Sequence, residues 1–204
     1  MDEGGPDHDF GTSVGGHSSD GGHAGNEGFG EASDAVGRPI GEASDENDTP
    51  IGWTMPTRLA LEFQRELDGI YTSLLTIPQE LADAQWQDGG WTRKQVLGHM
   101  LDSATNNRQR FVRAATEGSF AGPNYSQDGW VAAHGYCDQP WETLLRWWKV
   151  EHEILAAVVD RIPEERLAAN CIVGDDGAVT LRFLIEDYTK HQRHHLRQLQ
   201  SRSS

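Results

Sequence analysis

Histidines near the carboxyl end of the chain have the spacing of metal ligands. They lie in the segment His191–His195, with the sequence His-Gln-Arg-His-His. Because positions i and i+4 share one face of an α-helix, His191 and His195 would place their Cβ atoms roughly 6 Å apart. Two imidazoles at this spacing can bind one metal ion, as in HExxH sites, although the glutamate is absent here. The alternative is a basic surface cluster near a helix C-terminus, where positive charge is favourable.

The apolar positions of this segment indicate which histidines face the interior of the protein. With about 100° per residue and Leu181 at zero, the apolar stripe centres near zero. His195 then falls at about 320° and His191 at about 280°, on the flank of the stripe, whereas His194 falls at about 220°, on the polar side. We therefore expect His191 and His195 to face inward. His194 should point outward or support a ligand.

A third ligand would have to come from another helix, and His99 is the natural candidate. It is the only histidine in the first two predicted helices. The apolar stripe of its own segment lies on the opposite side, however, and His99 shares its face with Asp102, Asn106 and Arg110. This face is either solvated or the polar wall of a cleft, in which Asp102 or Asn106 orients a ligand or binds substrate. The helical wheel leaves both interpretations open.

The other candidate residues in the second half of the chain are weaker. His134 falls in a predicted loop and His152 lies between two glutamates, so a surface or packing role is favoured for both. Cys137 and Cys171 have no activating partner in the sequence, and two cysteines are too few for a disulfide scaffold. The sequence also lacks a phosphate-binding loop, a dinucleotide-binding fingerprint and a Gly-x-Ser-x-Gly elbow.

Four segments with the periodicity of amphipathic helices would position these residues. They span about 54–77, 92–117, 140–162 and 180–199. Thr92 and Gln95 form a capping box at the start of the second segment, and Pro140 suits the first turn of the third. Four helices of about 20 residues predict an all-α protein with a four-helix bundle.

Two long connections separate the predicted helices, at about 118–139 and 163–179. The first is rich in Gly, Pro and Asn and has room for a short helical turn at 130–134. The second contains Gly174-Asp175-Asp176-Gly177, a strong turn signal. No strand alternation of useful length is present.

The first 50 residues differ in composition from the rest of the chain. They contain 12 Asp and Glu, one Arg and 12 of the 23 glycines, which gives them a net charge of −11. Their few large apolar groups cannot offset the entropy of ordering the backbone, about 1–2 kcal/mol per residue. The sequence therefore predicts a disordered, acidic, Gly-rich tail over 1–50 and a folded domain over 51–204.

The charge and hydropathy of the chain exclude several partners. A net charge of −15 would be repelled by nucleic acids and by anionic lipid. No apolar run approaches the roughly 20 residues needed to cross a membrane. The start Met1-Asp2-Glu3 has neither the basic nor the apolar region of a signal peptide. We therefore expect a cytoplasmic protein that binds neither nucleic acid nor membrane.

The segment from Trp91 to Ser103, WTRKQVLGHMLDS, resembles the second-helix motif of the DinB-like (YfiT-type) superfamily. Further similarity lies in Asn106-Asn107, Arg110-Phe111, the stretch from Tyr125 to Trp130 and the ending from His191 to Gln198. Together these motifs extend the resemblance over about residues 55–200. It implies a four-helix bundle, often dimeric, that holds a divalent metal with one histidine of the second helix and two of the last. In this sequence they are His99, His191 and His195.

The resemblance also implies a range of activities. Members of the superfamily include thiol-dependent transferases and isomerases that use mycothiol or bacillithiol. Three histidine ligands leave a fourth position for water or substrate, as in catalytic zinc sites. We therefore expect a metal-dependent enzyme with thiol-dependent S-transferase or hydrolase-like chemistry on a small molecule, in which Asp102 or Asn106 positions the substrate.

The identity of the cofactors is less constrained. Zinc is the default ion, although imidazole also suits nickel, iron and copper, and a low-molecular-weight thiol would act as a second cofactor. One alternative is a non-catalytic metal- or ligand-binding module of a stress response. Another is a structural bundle whose histidines bind nothing.

Overall fold

The computed structural model describes residues 57–201, and long helices form most of it. The four long helices are α1 (Arg58–Leu74), α2 (Arg93–Glu117), α4 (Trp141–Asp160) and α5 (Leu181–Gln200), with a short helix α3 (Gln127–His134) between α2 and α4. The predicted four-helix bundle is therefore confirmed. The predicted tail over 1–50 and its boundary with the folded domain lie outside the described residues.

Side-chain caps fix where the helices begin. Thr57 caps α1, so this helix starts later than the predicted residue 54. The predicted capping box of α2 is present: Thr92 Oγ1 accepts from the backbone N–H of Gln95, and Gln95 Oε1 accepts from the backbone N–H of Thr92. The helix ends at Gly118, whose φ of 84° is a left-handed conformation that favours glycine.

A small sheet joins the two long connections, in which the sequence shows no strand alternation. Its three strands are β1 (Ser119–Gly122), β2 (Asn170–Val173) and β3 (Val179–Thr180). β1 pairs in parallel with β2, where Phe120 lies opposite Cys171, and β2 pairs antiparallel with β3. Strands of two to four residues are too short to show an alternating pattern, which is why the sequence did not reveal them.

Helix α2 lies at the centre of the fold and is buried on two opposite faces. Its apolar stripe, with Leu97, Met100 and Phe111, packs into the core, and the opposite face, with His99 and Asp102, is buried as well. The helix contacts α3 as well as α4 and α5. The interpretation of the His99 face as solvated was therefore wrong, because other elements cover this polar face.

Arg93 ties the beginning of α2 to the end of α5. Its buried guanidinium donates to the backbone carbonyl oxygens of Ala84, Gln85, Leu199 and Ser201. Four carbonyl acceptors satisfy a cation that would otherwise be costly to bury. This contact brings the first turns of α2 beside the last turns of α5.

None of the helices within residues 57–201 combines the length and apolar composition that a membrane span requires.

A second buried histidine belongs to the packing between α4 and α5. The Nδ1 atom of His152 lies 2.7 Å from the carbonyl oxygen of Trp148, and its Nε2 lies 2.6 Å from the hydroxyl of Tyr188. A carbonyl only accepts, so Nδ1 carries the proton and Nε2 accepts from the tyrosine. Burial lowers the pKa of His152 to about 3, so the imidazole is neutral in the folded protein. This matches the packing role favoured from the sequence.

The lowered pKa of His152 predicts acid sensitivity. In the unfolded chain its pKa is about 6.5, so between pH 6.5 and pH 3 the unfolded state binds the extra proton. The stability contributed by neutral His152 is thus complete above pH 6.5 and is lost as the pH falls. From pH 7.5 to pH 5 the free energy of unfolding should fall by about 2 kcal/mol more in the wild type than in His152→Gln. Urea denaturation at both pH values measures this, and equal losses would contradict it.

Candidate metal centre

Three histidine side chains converge between α2 and α5. The Nε2 atom of His191 lies 3.2 Å from Nε2 of His99 and 3.0 Å from Nε2 of His195. One ligand atom from each residue lies within 4.8 Å of the other two. His99 is buried, and the other two side chains are partly buried. The structure therefore brings together the three residues that the sequence analysis proposed as ligands.

The helical wheel of α5 gave the correct orientation for its histidines. His191 and His195 lie one turn apart and face α2, whereas His194 is exposed. The Nε2 atom of His194 lies 3.0 Å from the amide nitrogen of Gln198, and its ring meets the ring of His195 edge-on at 5.1 Å, but it is not one of the three converging ligands. His194 is therefore a suitable control in experiments on this site.

The two most buried imidazoles of the cluster are neutral near pH 7. Burial and the neighbouring His195 lower the pKa of His99 to about 3. The pKa of His191 is held well below its ordinary value by burial and by His195 and His99. A neutral imidazole presents one N–H and one lone pair, and His191 Nε2 faces two other nitrogens. At most one of these two contacts can use a proton of His191.

The convergence of lone-pair nitrogens fits a divalent cation. Neutral imidazole is the form that binds metals, and the three Nε2 atoms meet at one point of the fold. Within residues 57–201, the Nδ1 atom of His99 is buried without a hydrogen-bond partner. No acceptor in this part of the protein therefore holds the imidazole proton on Nδ1. The donor set of three imidazoles suits zinc as well as nickel, iron and copper.

Two side chains that the sequence analysis did not select orient the histidines of α5. The amide oxygen of Gln198 lies 2.7 Å from His195 Nδ1, and the hydroxyl of Ser103 lies 3.4 Å from His191 Nδ1. Since an amide oxygen only accepts, His195 carries its proton on Nδ1 and presents the Nε2 lone pair to the cluster. Such supporting hydrogen bonds fix both the tautomer and the ring orientation of metal-binding histidines.

Loss of the Gln198 amide should weaken metal binding without abolishing it. In Gln198→Ala, His195 is free to adopt the tautomer that protonates Nε2, so we expect zinc affinity to fall about 10- to 100-fold. Competition with a chromophoric chelator measures this. His194→Ala is the control, because it removes a neighbour of Gln198 and of the His195 ring that is not itself a ligand, and it should keep an affinity close to that of the wild type. Unchanged affinity in Gln198→Ala would show that its amide does not orient His195.

Asp102 and Asn106, the predicted positioning residues, lie beside the cluster. The Oδ1 atom of Asp102 accepts from the Tyr136 hydroxyl at 2.6 Å and lies 3.1 Å from His134 Nδ1. Burial raises the pKa of this carboxyl, although the bond from Tyr136 and the nearby His134 oppose the shift. Asn106 donates to the backbone oxygen of Asp102. The contacts observed for both residues are thus with neighbours other than the three histidines, and a role towards substrate stays a prediction.

Aromatic side chains form one wall of the site. The ring centroids of Trp91 and Tyr125 lie 5.2 Å and 6.4 Å from that of His99. Tyr125 also lies 5.2 Å from Trp130 of α3, so the connection between β1 and α3 contributes to this wall. Such a surface favours apolar parts of a ligand and limits access of water to the cluster.

The fold and the site define a helical bundle with a buried three-histidine cluster between α2 and α5. The sequence matches the DinB superfamily over residues 62–199, and the chain belongs to this family. The resemblance noted in the sequence is therefore confirmed.

Several curated relatives carry names that refer to metal. A protein of Oceanobacillus iheyensis, named "Putative metal-dependent hydrolase OB0413", is 26% identical over 111 residues, which cover 54% of this chain and 64% of the relative. The chain thus spans less than two thirds of that relative. A "Putative metal-dependent hydrolase" of Geobacillus thermodenitrificans is 28% identical over 141 residues, with 67% of this chain and 78% of the relative covered.

Solved structures share the fold at low sequence identity. YfiT from Bacillus subtilis, described as a probable metal-dependent hydrolase with an unusual four-helix bundle topology, has a TM-score of 0.62 and 22% identity. The match covers 74% of this chain and 91% of YfiT. A mycothiol-dependent maleylpyruvate isomerase has a TM-score of 0.60 and 11% identity, with 72% of this chain and 61% of that chain covered. At this identity the likeness concerns the fold alone.

Proposed function

We propose that this protein is a metal-dependent enzyme that holds one divalent ion with His99, His191 and His195. The observation that carries the proposal is the convergence of three Nε2 atoms in a buried site, where the pKa values of His99 and His191 favour neutral imidazole. The names of the relatives in Oceanobacillus and Geobacillus support the same class of protein. Zinc is the proposed ion.

The site would combine the chemistry of the ion with positioning by the chain. A bound divalent ion supplies Lewis-acid chemistry, which lowers the pKa of a water or thiol nucleophile and polarises a carbonyl group. Gln198 and Ser103 keep the histidines of α5 in the orientation that presents Nε2 to the cluster. Trp91 and Tyr125 exclude water beside His99, and Asp102 or Asn106 would position a polar group of the substrate.

Hydrolysis of a small molecule is the first candidate reaction, because the curated relatives are named as hydrolases. Thiol-dependent S-transfer is the second, and the fold shared with a mycothiol-dependent isomerase supports it. In both cases the partner is a small molecule, and the net charge of −15 disfavours nucleic acid. A non-catalytic metal-binding module is the competing function.

A substrate screen on zinc-loaded protein tests the proposal. Chromogenic esters and amides serve as hydrolase substrates, and small electrophiles are tested with and without cysteine, bacillithiol or mycothiol. We expect turnover that is lost in His191→Ala and after chelation, returns with zinc, and is retained in His194→Ala. A requirement for thiol identifies the S-transferase, and turnover without thiol identifies the hydrolase. Turnover that survives both His191→Ala and chelation would contradict the proposal.

A further inference from the structure

A buried arginine on α2 has no acidic partner among the residues that the structure describes. The side chain of Arg110 is only 8% exposed, and within residues 57–201 no carboxylate forms an ion pair with it. Its Nη1 lies 3.5 Å from the amide oxygen of Asn107, and its Nη2 is buried without any hydrogen-bond partner in the described part of the chain. Guanidinium stays charged in proteins, so the fold carries the cost of a buried positive charge here.

A row of polar contacts connects Arg110 with the histidine cluster. Asn107, which Arg110 contacts, donates from Nδ2 to the backbone oxygen of Ser103 at 2.9 Å. The Ser103 hydroxyl in turn lies 3.4 Å from His191 Nδ1. Arg110 is also on the same helical face as His99, and side chains in a helix lean towards its N-terminus, which here is the direction of the cluster. The guanidinium therefore lies at the far end of a polar wall that begins at the histidines.

Tyr125 lies beside both ends of this wall. Its ring is 6.4 Å from the His99 ring, and its phenol raises the pKa of Arg110 against the larger lowering caused by burial. The segment that carries Tyr125, between β1 and α3, is outside the helices and strands. Tyr125 is thus close to the histidine cluster and also interacts electrostatically with Arg110.

We infer that Arg110 binds a carboxylate group of the substrate, whose reacting end lies at the three-histidine cluster. A single guanidinium balances a single carboxylate, and its planar N–H groups match the two oxygens. A phosphate would bring up to two negative charges to one cation in a buried place, which disfavours it. The inference rests on the proposed function for the reacting end, and it narrows the substrate class to small molecules that carry a carboxylate.

Binding of butyrate and of its neutral isostere butyramide tests this inference independently of turnover. The protein is labelled with ¹⁵N, and the side-chain Nε–H signal of Arg110 is assigned by its loss in Arg110→Gln. Each probe is titrated in chloride-free buffer into zinc-loaded and metal-free protein. We expect butyrate to shift the Arg110 signal and to bind at least about tenfold more tightly than butyramide. Arg110→Gln should abolish this preference in the metal-free protein, where no zinc is present to bind the carboxylate.

Arg113→Gln is the matched control, because Arg113 is on the same helix but is exposed and pairs with Glu117. This variant should keep the preference for butyrate. Equal binding of the two probes to the wild type, or a preference that persists in metal-free Arg110→Gln, would overturn the inference. Inorganic phosphate that displaces butyrate and binds more tightly would also overturn the choice of a carboxylate.

The zinc content of each sample separates this inference from the proposed function. Arg110→Gln should bind as much zinc as the wild type, because the guanidinium is not a ligand. Absence of zinc from the wild type would contradict the metal-dependent function, while the preference for butyrate in metal-free protein would still test Arg110.

Discussion

Replacing His191 by alanine should lower zinc affinity about 100- to 1000-fold. This histidine is central to the cluster, since its Nε2 lies 3.2 Å from that of His99 and 3.0 Å from that of His195. Structural zinc sites with four ligands bind with roughly 10–16 kcal/mol, so the loss of one imidazole removes about a quarter of that energy. Competition with a chelator of known affinity measures the change. The remaining pair of imidazoles should still bind zinc weakly.

His194→Ala is the matched control for this experiment. It removes an imidazole from the same helix, only three residues away, but this side chain is exposed. It contacts Gln198 and the edge of the His195 ring and is not one of the three converging ligands. We expect its zinc affinity to equal that of the wild type. If both variants bind zinc equally, the metal is held elsewhere and the three histidines only pack together.

The second large effect should come from Gly98→Ala, in the turn that carries His99. A Cβ atom at this position would lie 2.0 Å from Cδ2 of the Tyr136 ring, far inside van der Waals contact. Tyr136 is 1% exposed and donates to Asp102, so the ring cannot move without breaking buried contacts. Overpacking a core costs about 1–3 kcal/mol and occasionally more, and we expect a loss of about 3 kcal/mol or greater. Urea denaturation measures it.

Gly69→Ala provides the comparison for that substitution. Gly69 is in α1, and a Cβ added there would have no atom within 4 Å among the described residues. Alanine should therefore stabilise the helix by about 0.5–1 kcal/mol. Opposite signs for the two substitutions would support the close approach of Tyr136 to α2. A neutral Gly98→Ala would show that the ring lies further away.

The sequence located the helices well because their ends carry local signals. Thr92 and Gln95 cap α2 through their own side chains, and these residues are three positions apart. The orientation of His191 and His194 on α5 was also predictable, since one face of that helix is buried and the other is exposed. In such a helix, the periodicity of the apolar residues correctly indicates which side chains face the interior of the protein.

Periodicity failed for α2 because this helix is buried on both sides. His99 lies opposite the apolar stripe, so the pattern alone suggested solvent as readily as a cleft. Only the similarity to the DinB superfamily favoured the second interpretation. A polar face that lines the interior has the same sequence pattern as one that faces water, and tertiary contacts with α3 and α5 decide between them.

The supporting residues of the site differ in how far the sequence could reveal them. Gln198 is three residues after His195, and this helical spacing was a usable signal. Ser103 contacts His191, which is 88 residues further along the chain. Arg110 was identified because its buried guanidinium has no acidic partner in the described part of the chain. Neither property is local, so neither could be predicted from the sequence.

The zinc content of the untagged protein, together with the coordination of the ion measured by X-ray absorption, tests whether the three histidines hold a metal. We expect one zinc per chain after reconstitution, with three imidazole nitrogens about 2.0–2.1 Å from the ion. The zinc that remains in His191→Ala should have fewer imidazole ligands, and His194→Ala should again show three. A wild-type protein that binds no zinc, nickel or iron, or whose zinc has the same ligands in His191→Ala, would contradict the proposed three-histidine site.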